Sequence, residues 1–194
     1  MPQSVDSRST LMQRLENQVT LYPARPFLLA LDGRSGAGKT TLAGQLADFL
    51  KAAGFQTATF HLEDTYQGWW GLSQAVSAWE KNSAELKAGG QLTFTGWDWE
   101  TSRPTGPHIR AVLPRSVLII EGVGASAGSV DFSCWVEAPT LTRKHRALTR
   151  DGETYRPWWN TWAEQEEELL AQRRLDQKVD LVFFNEGEVT LQSK

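Results

Sequence analysis

An apolar run, Leu28-Leu29-Ala30-Leu31, is followed by Gly33-Arg34-Ser35-Gly36-Ala37-Gly38-Lys39-Thr40. These eight residues fit the spacing G-x-x-x-x-G-K-[ST] of a phosphate-binding loop. The spacing has a chemical reason. A triphosphate loses water when it binds and needs many donors close together. Glycines let the backbone curl so that its N–H groups point inward. A helix starting in the loop adds its free N–H groups and its dipole. Lys39 can reach the β- and γ-phosphates, and the Thr40 hydroxyl can hold Mg²⁺. A chain with this feature has to supply a buried strand before the loop and an amphipathic helix after it.

The flanking sequence supplies both. Residues 27–31 are apolar on both faces, as a central parallel strand requires. Residues 38–53 place Leu42, Leu46, Phe49, Leu50 and Ala53 at helical spacing, and Gly54 stops the helix. Further strands are expected at 56–62, 117–120, 132–137 and 181–184. Further helices are expected at 72–88, 139–150 and 157–175, and a short amphipathic helix at Leu11, Leu15, Val19 and Leu21. Residues 92–107 read as irregular, aromatic and turn-rich. Strands alternating with helices predict an α/β fold: a five-stranded parallel sheet covered by helices on both faces. A chain of 194 residues suits one domain, with no repeat or linker.

Ligands of such sheets bind beyond the strand C-termini. Asp32, Asp64 and Glu121 all fall there, so the loop and two acids are expected around one crevice. Glu121 follows four apolar residues and is a candidate for Mg²⁺, directly or through water. Asp64 is a candidate to face both phosphate and acceptor, with Glu63 beside it as competitor. Arg143, Arg146 and Arg150 share a helix face, and Arg156 follows. That face predicts a lid over roughly 143–160 that clamps phosphate during transfer. The run Glu166 to Glu168 reads as a solvated helix face. Trp97-Asp98-Trp99 either walls a flat substrate or anchors a loop. Trp158, Trp159 and Trp162 read as packing.

Composition excludes several classes. The net charge of −3 argues against a general nucleic-acid binder. The single cysteine, Cys134, cannot form an internal disulfide and reads as a small buried hydrophobe. His61, His108 and His145 lack metal-ligand spacing. With no signal peptide and no apolar run of membrane-spanning length, the cytoplasm is the expected compartment, with no membrane partner.

Taken in order, these elements resemble the uridine kinase-like family of P-loop kinases. Gly33 to Thr41 is similar to the family's opening loop. Asp64-Thr65-Tyr66 resembles its Asp-Ser-Phe-Tyr element, whose aspartate acts as base. Trp97-Asp98-Trp99 resembles its Tyr-Asp-Phe substrate element, and Ile120-Glu121-Gly122 its Phe-Glu-Gly. Arg146 to Asp151 fits its lid pattern Arg-x-x-x-Arg-Asp. The family's His-Pro-Asp-Ala-Phe segment is replaced by Gly68-Trp69-Trp70-Gly71, and its histidine after Tyr-Asp-Phe aligns with Ser102. The resemblance therefore carries the reaction further than the substrate.

It implies a P-loop kinase fold with an Arg-rich helical lid, using ATP and Mg²⁺ on a small-molecule acceptor hydroxyl. Nucleotide contacts are expected from Gly33, Ser35, Gly36, Ala37, Gly38, Lys39, Thr40, Thr41 and Arg146. Catalytic roles are expected for Asp64, Lys39 and Arg150. Substrate contacts are expected from Tyr66, Trp97, Asp98, Trp99, Arg143 and Arg156, and metal contacts from Thr40, Glu121 and Asp64. The rival readings are a nucleoside monophosphate kinase, a non-nucleoside alcohol kinase and a nucleotide-dependent switch. No Asn-Lys-x-Asp guanine-reading motif supports the last.

Overall fold

The computed structural model describes residues 13, 15–17 and 25–185. Five strands form a parallel sheet: β1 (Phe27–Asp32), β2 (Gln56–His61), β5 (Ser116–Glu121), β6 (Phe132–Glu137) and β7 (Leu181–Phe184). Their order is β2-β5-β1-β6-β7. The helices are α1 (Lys39–Ala52), α2 (Leu72–Lys87), α3 (Thr140–Tyr155) and α4 (Trp159–Arg173). The expected parallel sheet is present.

The period of two along a strand divides the core. Leu28, Ala30, Leu118, Ile120 and Phe60 face one side, against Ala75, Val76 and Trp79 of α2 and Trp159 and Trp162 of α4. Phe27, Leu29, Leu31, Val117 and Ile119 face the other, against Leu42, Leu46 and Leu50 of α1. Both faces of β1 and β5 are therefore buried, which explains their uninterrupted apolar sequence. Leu15 joins the second cluster; Leu11, Val19 and Leu21 of the same expected helix lie outside the described residues. Among the described residues no helix is long and apolar enough to cross a membrane.

Residues 92–107 correct the sequence reading. They are not irregular but mostly an antiparallel hairpin, β3 (Leu92–Asp98) and β4 (Arg103–Arg110). The hairpin hides from pattern analysis because β4 is almost wholly exposed and carries Pro104, Gly106 and Pro107. Prolines are tolerated on an edge strand, where no neighbour needs the missing N–H. Helix α3 also extends past its expected end at 150, through a break at Gly152 (φ 57°, ψ −135°) that glycine adopts readily.

Sheet register positions the site. Leu31 and His61 both pair with Glu121, so the segments after β1, β2 and β5 open on one crevice. Asp32, fully buried, ties two of them together. Its carboxylate accepts the N–H groups of Gly33 (2.7 Å), Gly124 (2.8 Å) and Ser126 (2.9 Å), and the Ser126 hydroxyl. Asp32→Ala strands these buried donors. It should lower unfolding free energy by about 3 kcal/mol in urea titration; a change under about 0.5 kcal/mol would show that water replaces the carboxylate at little cost.

Candidate active site

The phosphate loop is held in an open arc by positive φ and by close packing. Gly36 has φ +78°, and a Cβ there would meet the Arg143 carbonyl oxygen at 2.1 Å. Gly38, at φ +97°, is the N-cap of α1. Within the loop, Ala37 N–H and the Lys39 ammonium both donate to the Arg34 carbonyl, at 3.1 Å each. The Asn185 amide donates to the Ala37 carbonyl at 2.7 Å.

A cavity of about 640 Å³ opens above this arc. Ser35, Gly36, Lys39 and Thr40 form its floor, with Glu121, Gly122 and Val123 from the segment after β5. Glu63, Tyr66 and Trp69 come from the segment after β2, and Trp99 from the hairpin turn. Arg150, Asp151, Thr154, Tyr155 and Trp162 come from α3 and α4. Of the residues singled out from sequence, Ser35, Gly36, Lys39, Thr40, Tyr66, Trp99, Glu121 and Arg150 meet here.

Glu121 is almost fully buried and accepts from His61 Nδ1 at 2.6 Å and the Thr40 hydroxyl at 3.2 Å. Burial would raise its carboxyl, but the His61 hydrogen bond and the Lys39 charge hold it below the usual value. The same hydrogen bond pushes the His61 imidazole up. Among the described residues no group of three His, Cys, Asp or Glu side chains could hold a metal ion by itself. Thr40 and Glu121 instead fit Mg²⁺, which keeps several waters and takes the rest of its shell from phosphate.

Glu63 and Asp64 occupy successive positions of a 3-10 turn, Leu62–Thr65, and so point apart. Glu63 lines the cavity. Desolvation and the neighbouring Glu121 push its carboxyl up, against the opposing charges of Arg150 and Lys39. Asp64 is absent from the cavity wall; the charges that act on it are those of His61, Arg110 and Glu121. The signal for Glu63 lay in the spacing. In Asp-Ser-Phe-Tyr the acid stands three residues before the tyrosine, and three before Tyr66 is Glu63.

The remaining expected residues divide between the cavity wall and its surroundings. Arg143, expected to bind substrate, is buried and donates to the Ala138 carbonyl (3.1 Å), the Ser35 carbonyl (3.2 Å) and the Thr140 hydroxyl (3.1 Å). It braces the loop from behind. Arg156 is exposed and pairs with Glu153 at 2.9 Å. Asp98 caps its own turn, accepting from the N–H groups of Glu100 and Thr101; hydrogen bonding from Thr101, by its side chain above all, lowers the Asp98 carboxyl. Trp97 is half-buried behind Trp99, and neither Trp97 nor Asp98 lines the cavity. Gly33, Ala37, Gly38, Thr41 and Arg146 lie off the cavity wall too. Arg146 donates to the Asn185 carbonyl at 3.5 Å, beside Gly38. Arg150 does line the cavity, held bidentate by Asp151 at 2.8 Å.

Sequence reasoning overlooked the centre of the aromatic wall. Trp69 stacks on Tyr155 (5.4 Å, 12°) and Trp158 (5.5 Å, 7°) and meets Trp99 (4.9 Å, 57°) and the edge of Trp162 (6.3 Å, 85°). Tyr66, whose hydroxyl donates to the Val123 carbonyl at 2.9 Å, packs on Trp162 at 5.2 Å. Trp69 thus joins the hairpin to the α3–α4 connection. The sequence signal was the Gly-Trp-Trp-Gly segment, present but without a periodicity to say which indole turns inward; Trp70 is 71% exposed.

The loop, strand order and crevice define a parallel α/β fold with a phosphate-binding loop after its central strand. No family model matches the sequence, and no curated protein sequence matches it. Solved structures do match. One, from Bacillus stearothermophilus and assigned as a possible uridine kinase, is 23% identical with a TM-score of 0.58, over 88% of this chain and 99% of that one. Another, from Silicibacter sp. TM1040 and assigned as a fructose transport system kinase, is 18% identical with a TM-score of 0.59, over 92% and 99%. At these identities the likeness is one of fold.

The His61–Glu121 contact predicts a pH signature. His61 is raised above 6.5, so its contribution is complete below about that pH and is lost as pH rises through the folded value. Glu121 is lowered from 4.5, so its contribution is present above about that pH and is lost as pH falls through its folded value. Between these limits His61→Ala should cost a few tenths of a kcal/mol more than at about pH 9, because the imidazole is partly exposed and screened. Urea titrations in a chelator measure this. A pH-independent cost would show that folding leaves the proton affinity of the imidazole unchanged, and a cost that grows as pH rises would show that the folded protein holds it neutral.

Proposed function

We propose that this chain is a small-molecule kinase that moves the γ-phosphoryl of Mg·ATP to the hydroxyl of an uncharged acceptor. One observation carries the reading: Glu63 and Arg150 face Lys39 across a single cavity that also has an aromatic wall. A nucleotide switch needs the loop and the metal acid, but has no use for a walled cavity with a carboxylate beside the phosphate site.

The roles follow from position. The loop amides and Lys39 hold the phosphates. Thr40 and Glu121 would hold Mg²⁺, which would neutralise part of the phosphate charge. Glu63 orients the acceptor hydroxyl and takes its proton as the new O–P bond forms and the bond from Pγ to the β–γ bridging oxygen breaks, releasing ADP. The raised Glu63 carboxyl brings its basicity nearer to neutral pH, which suits a general base. Arg150 turns from Asp151 toward the charge developing on the transferred group.

The acceptor is read from the charges present. Among the described residues, Lys39 and Arg150 are the cations on the cavity wall, and both serve the phosphate end in this reading. Arg143 is spent on the loop, and Arg156 lies outside. An acceptor carrying its own phosphate or carboxylate would find no second cation, which weighs against the nucleoside monophosphate reading. A ring with hydroxyls suits Trp69, Trp99 and Tyr155, with Thr154 and Asp151 as polar partners. A nucleoside, as in uridine kinase-like enzymes, and a sugar both meet that description.

Paired carboxamide variants test the base. Glu63→Gln should cut kcat by roughly 10²–10⁴-fold while sparing ATP binding. Asp64→Asn should stay within about fivefold of wild type, since the general-base contribution belongs to its neighbour. Steady-state ADP release with a phosphorylated acceptor measures both. Inactivation by Asp64→Asn with an active Glu63→Gln would return the base to Asp64.

A further inference from the structure

The Glu166 side chain is 1% exposed. It sits on α4, in a run that reads from sequence as a solvated face, yet it points at the phosphate loop. Oε1 accepts the Ser35 N–H at 2.7 Å, and Oε2 accepts Arg34 Nε at 3.0 Å. The Arg143 guanidinium lies 4.0 Å from Oε2. All three polar groups of Ser35 are taken by α3 and α4: its N–H by Glu166, its carbonyl by Arg143 and its hydroxyl by the Trp162 indole N–H at 3.0 Å. Arg34 also donates to the Ala163 carbonyl at 3.2 Å.

We propose that Glu166 is a positioning residue that sets the phosphate loop before the nucleotide arrives. The inference rests on the loop being the nucleotide site. A loop of this composition is costly to order, because glycine loses more backbone freedom than any other residue. A buried carboxylate that grips Arg34 and Ser35 places that cost on folding instead of on binding. The grip extends to the chemistry: Arg34, fixed by Glu166, presents the carbonyl that receives the Lys39 ammonium. Glu166 also lies between two guanidiniums; without its charge, Arg34 and Arg143 repel each other under the loop. Preorganisation of this kind acts on affinity rather than on the transfer step.

The test compares Glu166→Gln with Glu167→Gln. Glu167 is the adjacent carboxylate, 67% exposed on its side chain and 3.2 Å from Arg34. Calorimetry with Mg·ADP, at a temperature where each variant is folded, gives the affinity. Glu166→Gln should bind about tenfold more weakly, the order expected for one charge-assisted hydrogen bond. Glu167→Gln should stay within about twofold, as an exposed pair does. Glu166→Gln that melts lower but binds within about twofold of wild type would overturn the proposal, leaving a purely structural ion pair. If Glu166→Gln does not fold, hydrogen exchange on nucleotide-free wild type decides. The Ser35 amide should be protected at least about 100-fold, and exchange at the rate of an open loop would overturn the latch. Wild type that binds no nucleotide would refute the kinase reading itself, while the Ser35 exchange rate would still decide the latch.

Discussion

The arc of backbone from Gly33 to Gly38 is the constraint on which the rest of the structure depends. Ala37 N–H pairs within the arc, with the Arg34 carbonyl, but the Gly33 and Ser35 N–H groups go to side chains outside it, Asp32 and Glu166. The shape is therefore imposed from outside. Asp32 fixes the entry to the loop from below, and Asn185 fixes Ala37 from the end of β7. Arg143 and Glu166 fix Ser35 from α3 and α4. Glycine is required where these supports come closest: at Gly36 even one methyl would collide with the Arg143 carbonyl. Buried acids and arginines that look functional in sequence are largely occupied with this work. That division leaves Lys39, Glu63, Glu121, Arg150 and Asp151 as the charged groups on the cavity wall.

The aromatic wall is the second consequence. The hairpin is anchored through β3, where Leu92 is buried in the core and Phe94 packs on Phe60, while β4 is exposed. Its turn is tied down where Trp99 meets Trp69, which in turn stacks on Tyr155 and Trp158 of the α3–α4 connection. Wall and phosphate floor are then one continuous surface, because Trp162 reaches the Ser35 hydroxyl. In the function proposed above, an acceptor resting on these rings would be presented to the phosphate end at a set height. That is the orientation a direct in-line transfer needs.

What could be read from sequence followed burial. β1 and β5 are buried on both faces, so their apolar runs and the loop between β1 and α1 identify the sheet and the crevice together. The hairpin could not be read, since its outer strand buries almost nothing and carries prolines. Glu63 and Asp64 are neighbours in one tight turn, and no local pattern says which faces inward; only the distance to Tyr66 does. The Glu166–Ser35 contact spans 131 residues and joins two elements by tertiary packing alone. Spacing along α3 correctly grouped three arginines, but not that the first would be drawn under the loop.

The account is tested most directly by incubating the purified protein with Mg·ATP and a panel of uncharged ring-bearing alcohols, nucleosides and sugars among them, alongside their phosphorylated and carboxylated counterparts. ADP release and product mass are followed together. The account predicts that at least one uncharged alcohol gains one phosphoryl group with matching ADP release, and that its anionic counterparts do not. Tight nucleotide binding with slow hydrolysis and no phosphorylated product from any acceptor would contradict it.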